Sequence, residues 1–339
     1  LKKQGYEVTG VFMKICDHTT HPCKRPLKTV CGANEEKDLE DAQRVATLLG
    51  IKLHIVDLSK EYKDIVLNYF IREYTAGRTP NPCVICNRFL KFGILREKAL
   101  SASGESFDFF ATGHYALLEY NRTLARYVLK KAVDASKDQS YFLFLLTPDQ
   151  LSQTLFPLGR YTKKQVRALA NKYGLPVSEK TESQDFIYGD RFLLFEGKTA
   201  EGPVVDKNGR VLGKHKGIFN YTLGQRKGLG ISAKHPLYVT SINSKTNTIT
   251  VGEKKDVYSR ELVVRDTTNL PGIDRIDKPV RVEAKIRYKH PASPAVITSG
   301  NEKGKLLVRF AKPQWAITPG QAVVFYQKDV VLGGSFILQ

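Results

Sequence analysis

The chain has 339 residues, which favours two or three domains, and its 42% hydrophobic and 10% aromatic content excludes an intrinsically disordered protein. Its longest apolar run is too short to span a bilayer, and without an N-terminal signal pattern the default expectation is a cytoplasmic location. Lys and Arg outnumber Asp and Glu by 53 to 34, and this net charge of +19 favours nucleic acid as a partner over the alternatives, an anionic membrane surface or mere solubility.

The first predicted elements alternate between helix and strand. "LKKQG" predicts the last turn of a helix, because lysines favour the negative helix end and Gly5 suits a left-handed cap. "YEVTGVFMK" and "IKLHIVDL" predict strands on either side of a helix in "EKDLEDAQRVATLLG", where Leu39, Ala42, Ala46 and Leu49 share one face. This alternation predicts a parallel sheet covered by helices.

The sheet is expected to lack its first strand. A sheet of this kind normally begins with a strand, a loop and then a helix, and here only the end of the helix precedes "YEVTGVFMK". In open α/β folds that first loop often binds phosphates. The alternative is a natural N-terminus that begins on a short helix.

The later elements change character along the chain. "SFDFFATGHYA" predicts a strand that runs into a glycine turn, and "YTKKQVRALANKYGLPV" predicts a helix with a capping box of Thr162 and Gln165 that stops at Gly174. From about residue 200 the chain has short strands and turns, and from about residue 259 alternating β-strands continue to the end. An α/β domain followed by two β-rich modules is the simplest prediction.

The segment "GRTPNPCVICNRFLKFG" places Cys83 and Cys86 three positions apart after two prolines. Residues that precede prolines avoid helical geometry, so the approach to the cysteines should be extended and stiff. Asn87 is expected to cap a helix, which would put Cys86 at a helix N-terminus close to Arg88 and Lys91, and both features stabilise a thiolate. A nucleophile and a zinc or iron–sulfur half-site are equally supported by this spacing.

The total of five cysteines is odd and does not predict a disulfide framework. The three outside the pair lie in one loop, with gaps that fit no compact zinc template. They are expected to be ordinary loop thiols, although one could complete a three-thiolate site with the pair. These three are Cys16, Cys23 and Cys31.

Polar residues at strand ends and before buried runs are candidates for binding. Gly113 and His114 follow a strand, at the usual crevice of an open sheet, although a lone histidine is more often structural. Residues in "SKDQSYF", "KIRYKH" and "TPGQAVVFY" are of the types that contact phosphates and bases, or form an ordinary soluble surface. These candidates are Lys137, Asp138, Gln139, Arg287, Tyr288 and Gln321.

Taken together, the chain resembles the tRNA-specific 2-thiouridylase family. The motifs that carry the resemblance occur in family order over nearly the whole chain: "GRTPNPCVICNRFLKF", "ATGHYA", "KDQSYFL", "LFPLGRYTKKQVR", "ESQDF", "YTLGQRKGLG", "RYKHP" and "TPGQAVVFY". The resemblance implies three domains. They are an ATP-pyrophosphatase-like (PP-loop) α/β catalytic domain at 1–185 without its first strand and phosphate loop, a central β-rich domain at 186–258, and a tRNA-binding β-barrel at 259–339.

The resemblance also implies an activity, the ATP-dependent 2-thiolation of the wobble uridine of tRNA. ATP, with Mg²⁺, adenylates the C2 oxygen of the uracil, and a sulfur nucleophile, here Cys86, displaces AMP. The implied partners are tRNAs with Lys, Glu and Gln anticodons and a sulfur donor, which is a desulfurase, a relay protein or sulfide, but no membrane. The implied contacts are Asn81, Pro82 and Cys83 with the target base, Met13 and Gly113 with ATP, and His114, Lys137, Asp138, Gln139, Arg287, Tyr288 and Gln321 with tRNA.

Two departures from the family pattern bear on this chemistry. The S-G-G-x-D-S phosphate loop expected before "LKKQGYEV" is absent, which predicts weak ATP binding, and "ESQDFIYGD" lacks the cysteine that many members carry there. Many relatives have Asp at the position of Cys83, so we hypothesise that Cys83 and Cys86 form a catalytic pair. The two are either disulfide partners or ligands of an iron–sulfur cluster with Cys31.

Two other functions fit less of this pattern. A non-catalytic tRNA-binding homologue, or an inactive fragment, would account for the absent loop and thiol. A structural metal-binding module would use the single C-x-x-C as its half-site.

Overall fold

The described part of the chain divides into two compact units. The computed structural model describes residues 1–16, 35–176, 194–195, 200–265, 278–300, 302 and 304–338. Unit 1 comprises Leu1–Leu67 and Pro82–Arg191, and unit 2 comprises Asn68–Asn81 and Phe192–Gln339. In the described ranges no helix is both long and apolar enough to cross a membrane.

In the described ranges the α-helices lie before residue 173, and strands dominate the rest of the chain. The helices are α1 (Glu35–Leu49), α2 (Ser59–Glu61), α3 (Asn68–Thr75), α4 (Pro82–Ile85), α5 (Leu95–Ser103), α6 (Pro148–Ser152) and α7 (Lys163–Lys172), and wider π-type turns occupy Tyr62–Leu67 and Cys86–Ile94. The strands are β1 (Gly10–Lys14), β2 (Leu53–Asp57), β3 (Phe110–Ala111), β4 (Leu117–Asn121), β5 (Arg126–Lys130), β6 (Thr154–Leu155), β7 (Gly202–Val205), β8 (Val211–His215), β9 (Tyr238–Asn243), β10 (Thr248–Gly252), β11 (Tyr258–Arg265), β12 (Val280–Lys285), β13 (Ser293–Ser299), β14 (Lys305–Trp315), β15 (Ala322–Gln327) and β16 (Val330–Phe336).

Unit 1 contains parallel strand pairs, as the alternation of helix and strand predicts, although the sequence did not predict β6. β1 pairs in parallel with β2, and β3 pairs in parallel with β6. The predicted end signals are also confirmed, because Gly5 and Gly50 adopt left-handed φ values of 86° and 59° after the first helical turn and α1. β4 and β5 form an antiparallel hairpin that the sequence analysis did not predict.

The helix that contains the two cysteines begins six residues earlier than predicted. It starts at Pro82, where the fixed φ of proline suits the first helical position, so Cys86 lies inside the helix and Asn87 does not cap it. The Asn87 side chain is instead buried, and its Nδ2 donates to the carbonyl oxygen of Phe142 at 3.1 Å. The expectation that Cys86 lies at a helix N-terminus is therefore wrong.

Unit 2 contains two β-rich modules, each with its own core. The first is a sheet with the strand order β8-β7-β10-β9, packed around buried residues such as Val239 and Ile249. The second has the order β11-β14-β13-β12-β15-β16, and a bridge between Val264 and Ile337 closes it into a barrel. Its core contains Phe325, which is fully buried. The alternating pattern predicted from about residue 259 is confirmed.

Candidate active site

The residues that resemble ATP contacts line a single cavity in unit 1. Met13 on β1 and Gly113 after β3 lie on the wall of a cavity of about 1030 Å³, together with His114 and Gln139. Ligand sites in proteins are concave and commonly several hundred Å³ in volume, so this cavity is large enough for a nucleotide. The structure therefore brings together four of the residues proposed from the sequence.

Gly113 is not required by the packing of the protein itself. A Cβ atom built there would meet only Leu158 Cδ1, at an ordinary contact distance of 3.7 Å. The φ angle of Gly113 is also not among the positive ones. A glycine on a cavity wall that neither packing nor backbone geometry demands is consistent with close approach of a ligand.

Arg96 supplies a buried donor on the wall of the same cavity. Its Nε atom is buried and makes no hydrogen bond within the described residues. A buried donor without an acceptor is costly, and an anionic or carbonyl-bearing ligand would provide the acceptor. The residues present thus fit a nucleotide.

His114 is a neutral residue in this site. Its ring lies 5.7 Å from that of Phe92 and 6.1 Å from that of Phe156, and its Nδ1 is 2.9 Å from the hydroxyl of Thr112. Burial, and to a lesser degree the charge of Lys91, lower the pKa of His114 to about 3. The imidazole is therefore uncharged at neutral pH and can take part in hydrogen bonds but not in ion pairs.

The two thiols lie in the first turns of the Pro82–Ser103 helix. Cys83 is partly buried, Cys86 is 8% exposed, and both are free. Burial raises the pKa of both thiols above the ordinary value, and the ammonium group of Lys91 offsets part of that rise. Lys91 does favour the thiolate form, as expected. The expectation of a stabilised thiolate is nevertheless wrong, because desolvation raises the pKa of both thiols more than the charge of Lys91 lowers it.

Lys91 connects the thiols with the cavity. It lies on the cavity wall, and its charge acts on Cys83, Cys86 and His114 alike. Arg88, the other basic residue expected to act on the thiols, has its guanidinium 5.4 Å from the ring centre of Phe89. The charge of Lys91 therefore acts on the thiol pair from a position on the wall of the cavity.

The iron–sulfur hypothesis depends on residues that the structure does not describe. Cys23 and Cys31 lie outside the described residues, as does the "ESQDF" segment. In the described ranges, no cluster of three His, Cys, Asp or Glu side chains is arranged to bind a metal ion. The remaining cysteine, Cys16, is buried at the end of β1, where its backbone N–H donates to the carboxylate of Glu35 at 3.2 Å.

The segment Lys137–Gln139 is fixed by its own hydrogen bonds. The buried Asp138 carboxylate accepts from the N–H of Ala132 at 3.0 Å and from the hydroxyl of Ser140 at 2.9 Å. Gln139 Oε1 accepts from the N–H of Tyr115 at 2.9 Å. Asp138 and Gln139 thus shape the loop, and their contacts with tRNA stay a prediction, as does that of the partly exposed Lys137.

The remaining candidates lie in unit 2. The Nη2 atom of Arg287 donates to the carbonyl oxygen of Ala316 at 2.7 Å and to the hydroxyl of Thr318 at 2.6 Å. The ring of Tyr288 lies 5.6 Å from the ammonium group of Lys285. Both residues retain partly exposed surface, which leaves part of each side chain accessible to a ligand.

Gln321 and Asn81 belong to one hydrogen-bonded region of unit 2. Gln321 Nε2 donates to the carbonyl oxygens of Thr79 and Pro80 at 3.1 and 2.9 Å. The backbone N–H of the buried Asn81 donates to the hydroxyl of Tyr69 at 3.3 Å. These pairings were not predicted from the sequence, and those of Gln321 join residues more than 240 positions apart. Arg96 was not predicted either, because it lies in no recognisable motif.

Three family models cover most of the chain. Their descriptions are tRNA methyl transferase HUP domain at residues 1–189, tRNA methyl transferase PRC-barrel domain at residues 190–253, and aminomethyltransferase beta-barrel domain at residues 259–337. The α/β domain, the central β-rich domain and the C-terminal β-barrel predicted from the sequence are therefore confirmed as a fold class.

Curated relatives match the chain over its full length. The chain is 48% identical over 340 residues to a tRNA-specific 2-thiouridylase MnmA of Endomicrobium trichonymphae, covering 100% of this chain and 94% of the relative. It is 46% identical over 345 residues to MnmA 2 of Thermoanaerobacter pseudethanolicus, covering 99% and 92%. It is 44% identical over 344 residues to MnmA of Acetivibrio thermocellus, covering 99% and 94%.

Proposed function

The chain belongs to the tRNA-specific 2-thiouridylase family, and on this premise we propose how its residues perform the ATP-dependent 2-thiolation of the wobble uridine of tRNA. The observation that carries the proposal is the position of Lys91, which lies on the cavity wall and acts electrostatically on Cys83 and Cys86. Adenylation and sulfur transfer occur at one uracil, so the nucleotide pocket and the thiol pair must lie close together. The thiol pair also favours sulfur transfer over the methyl transfer that two of the family descriptions mention.

The cavity of unit 1 is proposed to bind ATP. Met13 and Gly113 would contact the nucleotide on the cavity wall, and Arg96 Nε would find its acceptor there. ATP supplies the adenylyl group that converts the C2 oxygen of uracil into a leaving group, and we propose that Mg²⁺ accompanies its phosphates. The neutral His114 would orient the tRNA or the nucleotide through hydrogen bonds, since its low pKa excludes an ion pair at neutral pH.

The thiols are proposed to deliver sulfur in three steps. The Cys86 thiolate attacks the outer sulfur of a persulfide on the donor, takes over that sulfur and leaves the donor with its own thiol. The terminal sulfur of the Cys86 persulfide then attacks C2 as AMP departs with the former C2 oxygen. The thiolate of Cys83 then attacks Cys86 Sγ, which breaks the sulfur–sulfur bond, leaves sulfur on C2 and forms a Cys83–Cys86 disulfide. An external dithiol reduces the disulfide and restores both thiols.

Lys91 and the burial of the thiols are proposed to control when the thiols become reactive thiolates. In the free protein both thiols have raised pKa values and are protonated at neutral pH, which protects them from adventitious oxidation. Lys91 favours each thiolate, so a base or a second cation brought by the substrates would complete the activation.

A cluster-based route is the alternative form of sulfur delivery, and it requires a third thiolate such as Cys31. Among the described residues, no third ligand lies with the pair to complete such a site. Anaerobic purification distinguishes the two routes. Colourless, iron-free protein that thiolates tRNA supports the thiol pair, and activity that tracks bound iron contradicts it.

The proposed partners follow from the substrate. They are tRNAs with Lys, Glu and Gln anticodons, together with a sulfur donor. A desulfurase or a relay protein would supply persulfide sulfur to the thiol pair, and sulfide would be the donor in the cluster-based alternative. A cytoplasmic location is proposed because tRNA is modified there. Asn81, Pro82 and Cys83 are proposed to face the target base, and His114, Lys137, Asp138, Gln139, Arg287, Tyr288 and Gln321 to contact the tRNA.

A reconstituted reaction tests the proposal. Protein expressed from its complete gene is incubated with ATP, Mg²⁺, a persulfide-bearing sulfur donor, a dithiol and an unmodified tRNA transcript, and AMP and 2-thiouridine are quantified by mass spectrometry. We expect both products in equal amounts and only when tRNA is present. Binding of tRNA without release of AMP would support the non-catalytic homologue instead.

A further inference from the structure

The four residues Arg78–Asn81 immediately precede Pro82 and Cys83 in the chain and belong to unit 2. Two X-Pro bonds make this segment stiff, but stiffness alone does not fix its position. Its carbonyl groups at Thr79 and Pro80 cannot join a helix or a sheet ladder, so their acceptors must be satisfied by other groups.

One side chain satisfies both carbonyls. Gln321 Nε2 donates to the carbonyl oxygen of Thr79 at 3.1 Å and to that of Pro80 at 2.9 Å. The N–H of Thr79 donates in turn to the carbonyl oxygen of Pro319 at 2.9 Å. The turn before β15 therefore hydrogen-bonds both to an N–H donor and to carbonyl acceptors of the Arg78–Asn81 segment.

The turn that carries Gln321 is built for this close approach. Gly320 has a φ of 87°, and a Cβ atom there would lie 2.8 Å from the carbonyl oxygen of Thr79. Arg287 Nη2 fixes the start of the same turn through Ala316 and Thr318, at 2.7 and 2.6 Å. Arg287 and Gln321, two of the three residues in this module that resemble tRNA contacts, therefore use side-chain donors in bonds within the protein.

The ends of the segment are also fixed. The guanidinium of Arg78 pairs with both carboxylate oxygens of Glu73 at 2.6 and 2.9 Å. The N–H of Asn81 donates to the hydroxyl of Tyr69 at 3.3 Å. Only the two central carbonyls depend on a single side chain, that of Gln321.

We infer that Gln321 is a positioning residue that fixes the backbone of Thr79 and Pro80, and hence the position of Asn81, before tRNA binds. The inference rests on the proposed function to the extent that Asn81 faces the target base. It differs from a tRNA contact in a specific way, because a tRNA contact has no effect on the protein alone, whereas a positioning residue orders the segment in its absence.

Hydrogen–deuterium exchange of the tRNA-free protein tests the inference, read at the amides of Thr79 and Asn81. Gln321→Glu keeps the side-chain size and removes both donors, and Gln321→Lys restores a donor. Gln314→Leu is the matched control, since Gln314 Nε2 donates to a backbone carbonyl, that of Lys312, in the same module. Loss of the two hydrogen bonds should accelerate exchange about tenfold in Gln321→Glu, with Gln321→Lys and Gln314→Leu close to the unmodified protein.

Thiolation kinetics provide the second readout. A positioning role predicts that kcat falls about tenfold in Gln321→Glu and recovers in Gln321→Lys, with smaller changes in KM for tRNA. Unchanged exchange in Gln321→Glu, or equally fast exchange in Gln321→Lys, overturns the inference. Failure of the proposed function would instead appear as absence of thiolation by the unmodified protein, and the exchange result does not depend on it.

Discussion

At the scale of single residues, the decisive feature is the competition between burial and charge at the two cysteines. Burial raises the pKa of Cys86 above its ordinary value, and Lys91 only partly offsets this rise. A thiol with a raised pKa gains reactivity as the pH increases, because only the thiolate attacks an alkylating agent. We expect the alkylation rate of Cys86, measured by peptide mass spectrometry, to keep rising above pH 9. A plateau below pH 8 would contradict the structure.

Removing the charge of Lys91 should make both thiols less reactive. In Lys91→Met we expect alkylation of Cys83 and Cys86 at pH 8 to slow about threefold, because the charge that lowers the pKa of both thiols is removed. Arg88→Met is the matched control, because its guanidinium lies over Phe89 on the same helix. Equal slowing in both variants would show that the helix, and not the charge of Lys91, controls the thiols.

Gly113 should matter for the nucleotide and not for folding. In Gly113→Ala the added Cβ meets only Leu158, so the melting temperature should be unchanged, whereas ATP affinity measured by calorimetry should fall about tenfold through loss of close approach. Gly93→Ala is the control, since a Cβ there lies 3.5 Å from the Arg88 carbonyl oxygen, at an ordinary contact distance. Unchanged ATP affinity in Gly113→Ala would remove this residue from the site.

At the scale of elements, β1 is tied to the start of α1 by one carboxylate. Glu35 accepts from the N–H groups of Ile15 and Cys16 at 2.6 and 3.2 Å, just beyond Met13. Glu35→Ala should lower the free energy of unfolding by about 2 kcal/mol, because it leaves two amides at the end of β1 without this acceptor. Urea denaturation measures the loss, with the exposed Glu36→Ala as control. Equal stability of the two variants would contradict this role.

Hydrophobic periodicity and helix-end signals were sufficient to predict the elements that are stabilised by residues close to them in the sequence. The capping box of Thr162 and Gln165 is present at α7, and Gly174 adopts the left-handed φ expected after it. Such signals act through neighbouring residues, so they can be recognised from the sequence alone. The α1 boundaries and the strands of the barrel could be predicted for the same reason.

The helix start at Pro82 could not be predicted from local signals alone. Asn87 is an ordinary capping residue by type, but its amide is taken by the carbonyl of Phe142, 55 positions away, and the proline at position 82 begins the helix first. Tertiary contacts of this kind override local preference. The β4–β5 hairpin was missed because its turn, Arg122–Ala125, contains no glycine or proline and uses Ala125 at a φ of 49°.

At the scale of the whole molecule, motif order predicted the candidate site residues, whereas the burial and bonding of those residues required the structure. The resemblance predicts Met13 and Gly113 as ATP contacts and His114 as a tRNA contact. All three line the same cavity, and their roles stay predictions. The sequence could not reveal that the imidazole of His114 is neutral or that Gln321 bonds to Thr79, because burial and long-range pairing are not encoded in spacing.

The net charge of +19 should dominate the binding of tRNA. Lys and Arg that neutralise phosphates release counterions, so affinity should fall about a hundredfold between about 50 and 200 mM salt. Fluorescence anisotropy with labelled tRNA measures the dependence. A change of less than about threefold would show that few phosphates are contacted and that the charge serves solubility instead.

The most direct test of the account is mass spectrometry of wobble uridines in a strain that lacks its own 2-thiouridylase. The strain expresses the complete gene with native residues, with Cys86→Ser, or with Cys16→Ser as the control, since Cys16 is buried against Glu35 and has no proposed role in sulfur transfer. The account predicts 2-thiouridine with the native protein and with Cys16→Ser, and none with Cys86→Ser. Restoration of 2-thiouridine by Cys86→Ser would contradict it.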